Sequence, residues 1–143
     1  MSIQEIQEQI IEEFSMFDDW MDRYNYLIEL GNDLDKTDTK YKTDEYLING
    51  CQSKVWLFAE YENGLVHYKA DSDAIIVKGI VALLLRVLSG QPAKVIVNTD
   101  LFFIDKIGLK ENLSPTRSNG LVAMVKKMKL YALAFDAKHG QSS

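Results

Sequence analysis

The chain has 143 residues, a single cysteine and a formal net charge of −5. That length supports a hydrophobic core without cross-links, and one cysteine excludes an internal disulfide. The acidic balance argues against a general nucleic-acid binder, which needs surplus cations to neutralise phosphate. An apolar fraction of 47% beside 26% charged residues is ordinary for a globular chain, so residues 1–143 are read as a single domain.

The N-terminus, MSIQEIQEQIIEEF, carries acids in place of a basic flank and has no long apolar stretch, so it does not read as a secretory signal. The longest apolar run, Ile80 to Leu85, is too short for a bilayer. A cytoplasmic location with no membrane partner is the expectation. Charge is uneven: residues 1–35 hold ten acids against Arg23 alone, while 117–143 hold five Lys/Arg against Asp136. Two solvated helix faces explain this, as does an acidic face that steers a basic partner.

Ile3, Ile6, Ile10, Ile11 and Phe14 form an amphipathic helix stripe. Asp18 or Asp19 caps a second helix through Trp20, Tyr24, Leu27, Ile28 and Leu30, which Gly31 closes. Asn32 to Glu45 is a loop whose acids do not fit a calcium-binding loop, because Asp38 stands where Gly is needed and Asp44 where Glu is needed. Tyr46 to Ile48 suggests a short strand ahead of the cysteine. From Lys54 the apolar period becomes two, with Trp56 and Phe58 on one face and Val55, Leu57, Ala59 and Tyr61 on the other. Asn63-Gly64 then predicts a hairpin with LVHYKA as its return strand. Ser72 or Asp73 caps a helix that is apolar almost all round and ends at Gly90 and Pro92, and Gly79 permits a close helix crossing. Between Ala93 and Leu109, VIV reads as strand and LFFIDKIG as a short helix. Ser114 and Pro115 open a last helix with the stripe Leu121, Met124, Val125, Met128, Ala132 and Phe135, frayed after Asp136. The whole reads as α+β: a small antiparallel sheet of about three strands flanked by helices.

Cys51 follows Gly50 at the mouth of the first strand, a place suited to a thiol that must be reached. A small apolar filler that happens to be cysteine is the alternative. Cys51, His67 and His139 are too few for a structural zinc site. One thiol is too few for a cluster scaffold or dithiol redox work. No bound metal or cofactor is expected. A thiol enzyme pairing Cys51 with His67 or Asp73 stays open, although His67 falls mid-strand. So does an interaction module in which the thiol is incidental. The remaining chemistry is that of one thiol acting alone, accepting a group and handing it on. An ordinary thiol of pKa about 8.5 is ionised to roughly a tenth near pH 7.5, which suffices for exchange. Gly50 allows close approach of a partner, Ser53 is placed to donate to sulfur, and Lys54 or a distant arginine favours the anion.

The run GCQSKVW, Gly50 to Trp56, resembles the signature of the SufE family, sulfur acceptors for cysteine desulfurases. DSDAIIVKG (Asp71 to Gly79), LSPTRSNGL (Leu113 to Leu121) and IELG (Ile28 to Gly31) resemble further blocks of that family in the same order, so the likeness runs from about Trp20 to Ala134. It departs after IELG, where family members often carry Leu-Pro and this chain has Asp33-Leu34-Asp35. The resemblance implies a fold similar to iron–sulfur scaffold (IscU-like) proteins. It implies an accessory sulfur carrier, not an enzyme, that is loaded by a pyridoxal-phosphate-dependent cysteine desulfurase of the SufS type and unloaded by an iron–sulfur scaffold complex. A homodimer is left open. Matched by position, Cys51 is the persulfide-bearing nucleophile, and Gly50, Gln52 and Ser53 shape its loop. Arg117 is a cation near the site or partner. Asp73 and Lys78 match family positions that a helix cap and a helix surface also explain. Leu47, Ile48, Trp56 and Phe58 are the expected apolar lining, shielding the thiol until a partner docks.

Overall fold

Ser2 starts the first helix with a capping box: its hydroxyl accepts the Glu5 N–H at 3.1 Å while the Glu5 carboxylate accepts the Ser2 N–H at 3.2 Å. The computed structural model describes residues 1–34, 42–48 and 53–139. Helix α1 (Ile3–Ser15) is followed by α2 (Trp20–Asn32), capped by the Asp19 carboxylate on the Asp22 N–H. A 3-10 turn over Asp44–Tyr46 precedes β1 (Val55–Glu62), β2 (Leu65–Ser72) and α3 (Ile75–Leu88). The two-residue β3 (Gln91–Pro92) leads into α4 (Ala93–Asn98), α5 (Phe103–Lys106), α6 (Leu109–Asn112) and the long α7 (Pro115–His139).

The hairpin forms as its sequence predicts. Asn63 and Gly64 take φ of 54° and 81°, the left-handed pair that matches the twist of an antiparallel ribbon. The register runs from Val55 opposite Ser72 to Glu62 opposite Leu65. The sheet order is β1-β2-β3, antiparallel throughout. Its third strand is not the Tyr46–Ile48 stretch, where only Leu47 bridges to Trp56. Gln91–Pro92 takes that place, because Gly90 at φ 82° reverses the chain after α3 and donates its N–H to Val66 O at 2.7 Å.

Val55, Leu57, Val66, Tyr68 and Ala70 fill the inner face of the sheet. Val55, Leu57 and Ala70 meet Val81 and Leu84 of α3 and Met124 and Met128 of α7 around an apolar cavity of about 10 Å³, room for no more than about one water. The Tyr68 hydroxyl reaches across this layer and donates to Met128 O at 2.6 Å. Burial pushes that phenol well above its ordinary pKa.

Gly31 does not close α2. It lies inside the helix and buried, because α2 and α3 cross there: a Cβ on Gly31 would stand 2.8 Å from Gly79 N. A Cβ on Gly79 would stand 2.2 Å from Leu27 O. The two glycines therefore let two backbones touch, as read from sequence for Gly79 alone. Neither Ser72 nor Asp73 caps α3. Ala74 occupies the cap with no side-chain bond to the helix, and both polar side chains turn to Lys54. The VIV strand is also absent, since Val95–Val97 belongs to α4, whose Ala93 and Ile96 are buried at helical spacing. In the last helix Leu121, Met124, Met128 and Ala132 are buried. The helix continues past Asp136 because His139 stacks on Tyr61 at 4.3 Å and 5°.

A buried amide, missed in the sequence, fastens α1 to the start of α5. Gln7 donates to Asp100 O and accepts the Phe103 N–H, each at 3.1 Å. The available signal was a polar residue inside the stripe of Ile3, Ile10 and Phe14. Arg86 fastens α3 to α1, its two terminal guanidinium nitrogens donating to the two Glu13 carboxylate oxygens at 2.8 and 2.5 Å.

Candidate functional site

Gly50, Cys51 and Gln52 lie outside the described residues, so the site is built from what borders them. On the N-terminal side, Ile48 is buried, lines the apolar cavity and donates its N–H to Val55 O at 2.9 Å. Leu47 bridges to Trp56 on the outer edge of β1. Burying an isoleucine contributes roughly 1.5–3 kcal/mol, so this border is held by apolar burial as well as by a hydrogen bond.

On the C-terminal side, the main chain of Lys54 is fully engaged. Its N–H donates to Asp73 Oδ1 at 3.0 Å, and its carbonyl accepts from the Ser72 hydroxyl at 2.9 Å and the Asp73 N–H at 3.2 Å. The Ser72 hydroxyl also accepts the Ala74 N–H at 3.2 Å. Asp73, expected as a partner or site contact, is thus a backbone clamp on the residue three positions after Cys51, with its side chain at the surface. Ser53 is half-buried just before this clamp.

Asp71 and Lys42 were not read from the sequence. The Asp71 side chain, 7% exposed, lies 2.7 Å from Lys42 Nζ and 3.5 Å from Lys78 Nζ, and it accepts the Ser72 N–H at 2.8 Å. Burial alone would raise this carboxyl, but the Lys42 hydrogen bond, the Ser72 N–H and the two ammonium charges outweigh it and hold it below the ordinary carboxylate value. The available signal was the return strand LVHYKA carried one residue further, which puts Asp71 beside Trp56. Lys78, which matches a family position and which a helix surface also explained, is part of this cluster.

The expected lining is not one surface. Ile48 points into the core with Val55, whereas Trp56 and Phe58 occupy the opposite face of β1, where Tyr46 meets Phe58 edge-on at 5.4 Å. Period two forces this split. Arg117 is exposed in the first turn of α7, and its N–H faces the Ser114 hydroxyl at 3.4 Å. It precedes Met124 by two helical turns, about 10 Å along the axis, and Met124 shares the cavity with Ile48. His67 is exposed and paired with Glu60, five register positions from Val55. That is roughly 17 Å at strand spacing, so His67 is not brought to the border of the cysteine segment. Among the described residues no cluster of His, Cys, Asp or Glu is arranged to hold a metal. No described helix is long and apolar enough to cross a membrane.

An α+β chain with its one thiol between two fastened borders at the mouth of β1 belongs to the class of small single-thiol proteins. The model of the SufE family, described as an Fe-S metabolism associated domain, matches residues 8–132. An uncharacterized SufE-like protein of Rhizobium etli is 47% identical over 127 residues, covering 85% of this chain and 86% of that protein. A second, from Rhizobium meliloti, is 42% identical over 85% of this chain and 91% of its own length. SufE-like protein 1, chloroplastic/mitochondrial, of Arabidopsis thaliana is 36% identical over 95% of this chain and 37% of that longer protein. The chain belongs to the SufE family, whose domain is associated with iron–sulfur metabolism. The solution structure of a hypothetical protein from Thermus thermophilus shares the fold, with a TM-score of 0.74 at 21% identity over 90% of this chain and 94% of that one.

Proposed function

We propose that the protein is a sulfur carrier in which Cys51 takes persulfide sulfur from a pyridoxal-phosphate-dependent cysteine desulfurase and delivers it for iron–sulfur cluster assembly. The observation that carries this reading is the position of the chain's one thiol, three residues beyond Ile48 and three before Lys54, between borders fastened separately to β1 and to the end of β2. Borders fastened on both sides of a short segment limit how far its thiol can stray from the start of β1, which suits a group that a partner must find.

The transfer is an exchange without net oxidation. The Cys51 thiolate attacks the outer sulfur of the desulfurase persulfide, a new S–S bond forms, the old one breaks, and the desulfurase thiolate leaves with the electron pair. Cys51 then carries –S–SH, and the same step in reverse sense loads the next recipient. The protein is accessory to the desulfurase and relieves it of product. A reducing compartment such as the cytoplasm suits a free thiol.

Cys51→Ser tests this. The variant should unfold at the wild-type temperature and lose its stimulation of cysteine desulfuration. A folded variant that stimulates as well as wild type overturns the carrier reading and leaves the protein an activator with an incidental thiol.

A further inference from the structure

The stretch that runs toward Cys51 is fastened at its start by a carboxylate that the transfer chemistry does not use. Asp71 stands directly across the hairpin from Trp56. The Ser72 N–H at 2.8 Å and Lys78 at 3.5 Å hold its Oδ1, which leaves Oδ2 aimed at Lys42 Nζ, 2.7 Å away. The same ammonium stands 5.8 Å from the centre of the Trp56 ring. Beyond Lys42, Tyr46 packs on Phe58, Leu47 bridges Trp56, and Ile48 binds Val55 O. Residues 42–48 therefore form a strap along β1, charged at one end and hydrogen-bonded and apolar at the other.

The two ends differ in kind. The Ile48 end is buried and held by contacts that salt does not weaken directly, so it lifts only once the Lys42 end has let go. The Lys42 end joins a lysine side chain 34% exposed to a carboxylate only 7% exposed, so water and ions reach one partner of the pair and not the other. Such a pair is stronger than one between two surface groups and still weakens with salt. Lifting Lys42 also forfeits its contact with the Trp56 ring. The charged end is thus the one that releases first.

We propose that Asp71 is a positioning residue for sulfur transfer: by holding Lys42 it sets how often the 42–48 strap lifts from β1, and through it the rate at which Cys51 is loaded. This rests on the carrier reading above. Asp71 touches no reacting atom in this scheme and acts through Lys42.

Lys42→Met removes the charge and keeps an apolar stem for Trp56. Hydrogen exchange at the Ile48 amide should quicken about fivefold, the factor expected for a pair of this exposure. Loading of Cys51 by a desulfurase and cysteine should quicken by a similar factor, with little change in melting temperature. Lys42→Arg should return both rates to within about twofold of wild type. Added salt should speed Ile48 exchange in the wild type and leave Lys42→Met unmoved, a response that a merely structural lysine would not give. A Lys42→Met variant with wild-type Ile48 exchange and loading, beside a wild type that loads normally, overturns the latch alone. A wild type that takes no sulfur overturns the carrier reading, and the latch with it.

Discussion

Gly79→Ala probes the contact on which the helical layer depends. The added methyl would sit 2.2 Å from Leu27 O and 2.7 Å from Leu27 C, whereas ordinary contact begins at 3.4 Å. Those atoms are backbone and cannot rotate away, so α2 and α3 must part by about 1 Å. Parting them loosens Leu27, Ile80 and Leu83, all at or below 1% exposure. Overpacking of this kind costs about 3 kcal/mol. Alanine in place of glycine inside a helix returns about 1 kcal/mol. The net loss is about 2 kcal/mol, which lowers the melting temperature by roughly 6–10 °C for a chain of this size. Thermal unfolding followed by circular dichroism, with a urea titration to confirm an unchanged slope, measures it. A variant more stable than wild type would show that helix propensity outweighs the crossing and would refute the close-contact reasoning.

Gln7→Leu removes both hydrogen bonds to the Asp100–Phe103 stretch and leaves the buried Phe103 N–H unpaired. It should cost about 2–3 kcal/mol in urea, and an unchanged urea midpoint would mean that α1 is not fastened there. Acid should also weaken the fold. The Arg86 hydrogen bonds hold the Glu13 carboxyl below its ordinary value of 4.5, and the cluster around Asp71 holds that carboxyl below 3.8. A carboxyl depressed in the folded state binds fewer protons there than when unfolded, so its stabilisation is complete above the ordinary value and disappears as pH falls through the folded one. The urea midpoint should therefore be nearly level from pH 7 to about 5.5 and decline below about 4.5. Arg86→Met should make that decline shallower, and an equally steep decline would contradict the role given to Arg86.

The parts legible in the sequence are those set by neighbours along the chain. Asn63-Gly64 predicts its hairpin because only certain residues accept two successive positive φ values. Asp19 caps α2 because a carboxylate three residues before an N–H has little else to do. The misread parts were decided by residues far away in sequence. Gly31 looks like a helix stop until α3 is laid against it, and Ser72 and Asp73 look like caps until Lys54 arrives across the hairpin. Val95–Val97 has the β-branched composition of a strand, yet its six-residue element packs on α7 with Ala93 and Ile96 inward. At the site, the thiol itself is the most legible feature, being the only one in the chain. The Lys42–Asp71 pair was not, since nothing local says which of many acids and lysines will meet.

The central claim is that sulfur comes to rest on Cys51. Wild-type protein mixed with a cysteine desulfurase and cysteine, then digested without reductant and weighed peptide by peptide, tests it most directly. A gain of one sulfur atom on the peptide holding Cys51, absent when cysteine is withheld, is the expected result. An unchanged mass on that peptide while the desulfurase itself carries a persulfide would contradict it.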